Sequence, residues 1–261
     1  MGAPWHRARK RFGQHFLHDP NVLDRIVRAM QPLPNERLVE IGPGRGALTR
    51  LLIKAQPASL DAIEIDRDLA ESLRHEFAAV PSFTLHEFDA LDFDFGALSA
   101  SRGGPLRVIG NLPYNISTPL LFHLLENTTS ISDIHVMLQR EVVVRMAAKP
   151  GSSDYGRLTV MLAPWVRVER LFDVGPGAFQ PPPQVWSTVV RLVIRPEPAF
   201  VVSPRFKNVV SAAFSHRRKT LRNALKGLVT GEQIEECNLD PGVRPEEVSP
   251  EQFNTLARVS D

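Results

Sequence analysis

The sequence predicts an α/β fold: a doubly wound, mostly parallel sheet with a C-terminal antiparallel hairpin strand, followed by a small all-helical domain. Three observations predict it. Short apolar runs alternate with helical patterns through the first two-thirds of the chain, two later apolar runs follow one another with no helix between, and only short helical patterns lie beyond a proline-rich break. Alternating strand and helix requires crossover connections, which make the strands parallel and put helices on both faces of the sheet.

The strands are "RLVEIG" (37–42), "LDAIEID" (60–66), "FTLHEFD" (83–89), "LRVIGN" (106–111) and "DIHVMLQ" (133–139), each bounded by turn residues. Between them, "ALTRLLIKA" (47–55), "RDLAESLRHEFA" (67–78) and "TPLLFHLLEN" (118–127) read as helices. Leu120, Leu121, Leu124 and Leu125 give the last an apolar stripe at helical spacing. "RVERLFDV" (167–174) and "VWSTVVRLVI" (185–194) form the hairpin at the sheet edge. The prolines of "RPEPAF" (195–200) break regular structure and mark a linker. After it, "SPRFKNVVSAAF", "RKTLRNALKGL" and "TGEQIEECN" read as short helices stopped at Gly227 and Gly231. The expected domains are therefore 1–196, with a basic N-terminal segment over 1–20, and 197–261.

With 261 residues, 43% hydrophobic and 23% charged, the composition is that of a globular protein. No run of ~18 apolar residues suggests a membrane span. The basic N-terminus is not followed by the apolar segment of a secretory signal. Cys237 is the single cysteine, which excludes an internal disulfide and a cysteine-based metal cluster and suits a reducing cytoplasm. No metal is expected. Net charge is only +2, yet cations cluster. Arg7, Arg9, Lys10 and Arg11 crowd the N-terminus. Arg205, Lys207, Arg217, Arg218, Lys219, Arg222 and Lys226 occupy a stretch free of Asp and Glu. Two basic clusters on a nearly neutral chain point to local phosphate contacts rather than to a polycation.

"VEIGPGRGALT" (39–49) places glycines where a strand turns into a helix, so Gly42 and Gly44 let the backbone approach a ligand. Glu64 ends the second strand about 20 residues on, the place of a ribose-binding carboxylate in such folds. Asp89 ends the third strand, where it would meet a base amino group. A nicotinamide site is the competing reading. Against it stand the G-x-G-x-G spacing, Glu40 inside the motif, and the lack of hydride-transfer apparatus. The pattern resembles the S-adenosylmethionine site of class I methyltransferases, whose sheet is Rossmann-like.

"VIGNLPYNIST" (108–118) runs a strand into an amide, a proline and a ring, with no acid, base or thiol beside them. Methyl transfer explains this set, because a sulfonium methyl is already electrophilic and the protein needs mainly to align a nucleophile. For an adenine amine, the Asn111 side-chain oxygen and the Leu112 carbonyl would accept its hydrogens. Pro113 would fix the turn, and Tyr114 would offer a ring to an extruded base.

"KRFGQHFLHD", "EIGPGRGALT", "NLPYNIST", "QREVVVRM", "YGRLTV" and "FQPPPQVWS" occur in the order of the motifs of ribosomal RNA adenine dimethyltransferases, and the whole chain resembles that family. The likeness is closest to its bacterial KsgA/RsmA branch, which dimethylates two adjacent adenines near the end of small-subunit 16S rRNA. The resemblance implies S-adenosyl-L-methionine as cofactor and 16S rRNA and the 30S subunit as partners; a monomer is the default expectation. His15 and Leu17 would frame the cofactor, Gly42 would meet its methionine part, Glu64 its ribose and Asp89 its adenine. Asn111 would lie beside the transferable methyl. Tyr114 and Phe179 would hold the target adenine between two rings. Arg217, Arg218, Lys219 and Arg222 match a C-terminal RNA-contacting pattern. Where the family often has Asn this chain has His15, and where it commonly has Lys after the prolines this chain has Gln184. Two rivals share many of these features: a resistance-type methyltransferase acting on 23S rRNA, and a non-catalytic 30S assembly factor.

Overall fold

A computed structural model of the chain describes residues 14–215 and 218–260. Arg7, Arg9, Lys10, Arg11 and Arg217 lie outside the described residues. The chain opens with β1 (Phe16–Leu17), α1 (Pro20–Met30), β2 (Arg37–Ile41), α2 (Ala47–Lys54), β3 (Ser59–Glu64) and α3 (Arg67–Glu76). It continues through β4 (Phe83–Glu87), α4 (Phe95–Arg102), β5 (Leu106–Asn111), α5 (Ser117–Leu125) and β6 (Ile131–Gln139). Then come α6 (Arg140–Met146), α7 (Arg157–Leu162), β7 (Val166–Val174), β8 (Phe179–Gln180) and β9 (Ser187–Ile194). Helices α8 (Phe206–Ala213), α9 (Leu221–Ala224), α10 (Gly231–Glu236) and α11 (Pro250–Val259) complete it.

One sheet holds the order β4-β3-β2-β5-β6-β9-β7. From β4 to β6 its strands are parallel, and β9 runs antiparallel to β6. The expected hairpin strands β7 and β9 are neighbours, with β7 at the edge. The chain builds outward from β2 to β4 and then crosses back to lay β5 on the other side of β2. Loops leaving β2 and β5 therefore part in opposite directions, and ligands of open α/β sheets bind in the crevice that results. The glycine motif and the strand-tip motif border that crevice.

Local sequence accounts for these elements. Every residue of β3 is buried, as a strand covered on both faces requires. The Asp19 side chain caps α1 by accepting from the Asn21 and Val22 N–H groups, with Pro20 in the first turn. Leu23, Ile26 and Met30 of α1 join Leu38, Leu60, Ile109, Met137 and Val189 in the core on one sheet face. A separate antiparallel ladder pairs β1 with β8, opposing Phe16 to Gln180 and Leu17 to Phe179.

The described residues form two compact units, 14–140 with 169–194 and 141–168 with 195–215 and 218–260. This division differs from the expected boundary at 196/197, because the excursion between β6 and β7 belongs with the C-terminal helices. Tyr155 and Val160 are buried with Phe206, Val210, Leu221, Phe253 and Leu256, and the Tyr155 hydroxyl donates to the Val248 carbonyl at 2.8 Å. Among the described residues no helix is long and apolar enough to cross a membrane.

Candidate active site

A cavity of about 330 Å³ opens at the switch point, within the range of small-molecule sites. Gly42 and Gly44 form part of its wall, both with positive φ (67° and 57°). A side chain on Gly44 would start 3.0 Å from the Phe16 ring, so the loop and the N-terminal segment close on each other only without one. Glu64 ties this loop down. One of its oxygens accepts the Gly44 N–H at 3.1 Å and the other the Asp66 N–H at 2.9 Å. Burial pushes its carboxyl above the usual range, against the pull of those bonds.

Beneath the glycine loop lies Glu40, which the sequence reading used only as an argument against a nicotinamide site. It is buried and lines the cavity, and Thr49 donates to its Oε2 at 2.6 Å. Burial pushes its carboxyl to about 7, and the charge of Glu64 adds to the rise. On the far side, Asp89 accepts the Leu91 N–H at 2.9 Å through Oδ1, and no donor among the described residues meets Oδ2. Ile65 and Phe88, 44% and 49% exposed, line the cavity beside the two strand-end acids. Sequence reasoning missed both. Their signal was available: an apolar residue directly after Glu64 and another directly before Asp89.

At the tip of β5 the Asn111 amide nitrogen donates to the His15 carbonyl at 2.9 Å. Its donor end is thus held, and its oxygen is the end left to accept. Leu112 is buried and hangs its N–H on the Met137 carbonyl at 3.3 Å. Among the described residues no donor meets the Leu112 carbonyl. The Tyr114 hydroxyl lies 2.6 Å from Ser187 Oγ, and its ring faces the His15 ring at 5.8 Å. Partial burial raises the phenol's pKa and keeps it protonated. His15 Nδ1 is 2.8 Å from the Pro181 carbonyl, an acceptor, so that nitrogen carries the proton. Gln14 donates to Asp66 at 3.1 Å, giving the N-terminal segment a second anchor.

Most of the expected site residues meet here. His15, Leu17, Gly42, Glu64, Asp89, Asn111, Leu112, Pro113 and Tyr114 all line the one cavity. Phe179 does not. It is 2% exposed and packs in the core with Leu17, Ala178 and Val189, so the expected pair of rings is corrected to Tyr114 alone. The cause is the β1–β8 ladder, which pulls Phe179 into register with Leu17. In the second unit, Arg218, Lys219 and Arg222 are exposed, and Arg222 lines a shallow groove with Asn223 and Lys226.

A family model described as "Ribosomal RNA adenine dimethylase" matches residues 5–261. The chain belongs to that dimethylase family. Two relatives, each named Ribosomal RNA small subunit methyltransferase A, come from Pseudomonas fluorescens and Pseudomonas aeruginosa. The first is 53% identical over 255 residues, 97% of this chain and 93% of the relative. The second is 54% identical over 254 residues, covering 97% and 94%. Among solved structures, the 23S rRNA methyltransferase ErmE superposes with a TM-score of 0.71 at 27% identity, covering 93% of this dimethylase and 98% of ErmE. A dimethyladenosine transferase from Plasmodium falciparum shares the fold, with a TM-score of 0.76 at 24% identity over 93% and 96% of the two chains.

Proposed function

We propose that this chain is a 16S rRNA adenine dimethyltransferase. It moves methyl groups from S-adenosyl-L-methionine to N6 of two adjacent adenines in the 3'-terminal hairpin, on 30S subunits in the cytoplasm. The observation that carries this reading is the Asn111 amide. Its donor end is fixed on the His15 carbonyl, so its oxygen is left for a substrate amine beside the Tyr114 ring.

The residues of the cavity suit the cofactor. Asp89 Oδ2 is an open acceptor for an adenine amino group, and Ile65 and Phe88 offer apolar surface for the faces of that ring. Each oxygen of Glu64 keeps a lone pair after its backbone bond, enough to accept from ribose hydroxyls. Gly42 has no side chain to keep a methionine moiety from the loop. When bound, S-adenosylmethionine supplies a methyl group on a positively charged sulfur.

The protein's part is placement. The Asn111 oxygen and the Leu112 carbonyl accept the two N6 hydrogens and turn the amine's lone pair out of the ring plane. Tyr114 stacks on the extruded base, its hydroxyl held by Ser187 so that the ring cannot swing away. Neither Asn111 nor the raised Tyr114 phenol takes a proton before attack; the methyl–sulfur bond breaks as the nitrogen–methyl bond forms, and the extra N6 proton then leaves to solvent. Reaction then depends on in-line alignment, an effect large enough to dominate a rate. The exposed Arg218, Lys219 and Arg222 neutralise phosphates and position the RNA without reading its bases. One copy supplies every residue of this site, and we take a single chain as the working unit.

Labelled cofactor and purified 30S and 50S particles lacking the modification test this directly. Label should enter the small subunit, and mass spectrometry should place two methyls on each of two neighbouring adenines. Label confined to 50S would overturn the reading.

A further inference from the structure

One aromatic side chain at this edge of the sheet has no role in the pocket. Trp186 is 52% exposed, and Val185 beside it is 43% exposed. Scattered apolar side chains on a surface need no explanation. Trp186 differs in where it stands and in how firmly it is held. β9 is antiparallel to β6, so its first residues lie at the carboxyl end of the parallel strands, level with Asn111. The next residue, Ser187, is the one bonded to the Tyr114 hydroxyl. Trp186's carbonyl accepts the Arg140 N–H at 2.9 Å. The six-membered part of its indole lies 3.5 Å from where a Cβ of Gly175 would be, so the ring rests on bare backbone and leaves its other side open.

Two exposed arginines lie on the adjoining elements. Arg140 (54% exposed) and Arg170 (42% exposed) share one carboxylate, Asp173, at 3.5 and 3.6 Å. Asp173 also accepts from Thr188 at 2.6 Å, which fixes it. Two guanidinium groups on one anion leave a net positive charge there, and an exposed ring with exposed arginines on the adjoining elements is a composition that holds single-stranded nucleic acid.

We propose that Trp186 is the stacking platform for the nucleotide next to the one at Tyr114, with Arg140 and Arg170 facing its phosphates. This rests on the reading of the substrate as two adjacent adenines. One base occupies the pocket while its neighbour lies on the indole, and Ser187 links the two ring positions through one hydrogen bond and one peptide. After the first adenine is finished, the strand shifts by one nucleotide and the occupants change.

The chain has three tryptophans, so Trp5→Phe with Trp165→Phe leaves Trp186 as the only indole. A hairpin RNA with two adjacent adenines should quench its fluorescence, and an abasic residue at either adenine should remove most of the quenching. Trp186→Ala should raise the RNA KM about tenfold, the value of one stacked base, with kcat and cofactor affinity within threefold of wild type. Trp186→Phe should restore most of the loss, and both variants should melt with the parent. Unchanged KM in Trp186→Ala, or quenching indifferent to the abasic sites, overturns the proposal. Weakened binding to whole 30S particles with unchanged binding to the bare hairpin also overturns it, marking a protein contact instead. A wild-type protein that methylates no small-subunit RNA would refute the parent reading, and that result needs no Trp186 variant.

Discussion

The two edges of the central sheet carry polar groups of similar kind arranged to opposite ends. At the amino edge Arg107 is fully paired, while the neighbouring buried His135 has no hydrogen-bond partner for either ring nitrogen among the described residues. Arg107 donates to both oxygens of Asp133 (2.9 and 3.1 Å), to Glu36 (2.6 Å) and to the Met30 and Gln31 carbonyls, which uses all of its N–H groups. Arg191 adds a further bond to Asp133 at 3.1 Å. At the carboxyl edge, Asn111 and Asp89 each have one end held and the other free. A saturated polar cluster supports the fold and can do little else. A half-held one is oriented by the protein and completed by a ligand.

Breaking the saturated edge should have the largest effect. Arg107→Ala takes two donors from the buried Asp133, whose carboxyl the Arg107 guanidinium holds below the usual range, and leaves it only Arg191 as a bonded partner. It should cost about 3–5 kcal/mol in urea unfolding, while turnover per folded molecule stays at wild type. A loss under ~1 kcal/mol would mean that the cluster is not what secures that edge.

Proton linkage sharpens the contrast, because the two edges carry opposite signs. Burial holds Glu40 at about 7, so the folded state keeps a proton that the unfolded chain has lost, and its contribution to stability falls as pH rises from 4.5 to 7. His135, buried beside Asp133, is held neutral down to about 4, so its contribution falls as pH drops from 6.5 to 4. Relative to wild type, Glu40→Gln should therefore gain roughly 3 kcal/mol on raising the pH from 4.5 to 7. Stability curves of the two proteins that stay parallel across that window would remove Glu40 from this account.

Smaller effects are expected at the open edge, and they should fall on rate. Asn111→Ala should lower kcat on the order of 100-fold with little change in the melting temperature. On the proposal that its ring stacks on the target base, Tyr114→Ala should weaken turnover about tenfold and leave cofactor affinity unchanged. Calorimetry with cofactor alone checks this, and equal losses in both quantities would contradict it.

How far the sequence foretold all this depends on the range of the interaction. The parallel strands were legible because each is a short, largely apolar run ended by a glycine, an acid or an amide. Most of the cavity was legible too, since Gly42, Glu64, Asp89 and Asn111 sit at strand ends, and sheet topology alone brings such ends together. Helices α1, α4, α6, α7 and α11 escaped notice, the first because its cap at Asp19 lies within a segment read only as basic. The position of Phe179 depends on pairing with a two-residue strand far away in sequence. No local pattern encodes that. The excursion 141–168 was misassigned for the same reason, since Tyr155 finds its partner at Val248.

Gly110 has a consequence of its own. A methyl at that position would begin 2.6 Å from the Ile41 carbonyl oxygen, inside any tolerable contact. The separation between the glycine loop and the asparagine tip is thus set by two main chains lying in direct contact. Side chains around the rim can change, but the span from the glycine loop to the asparagine tip is a ruler that none of them can lengthen.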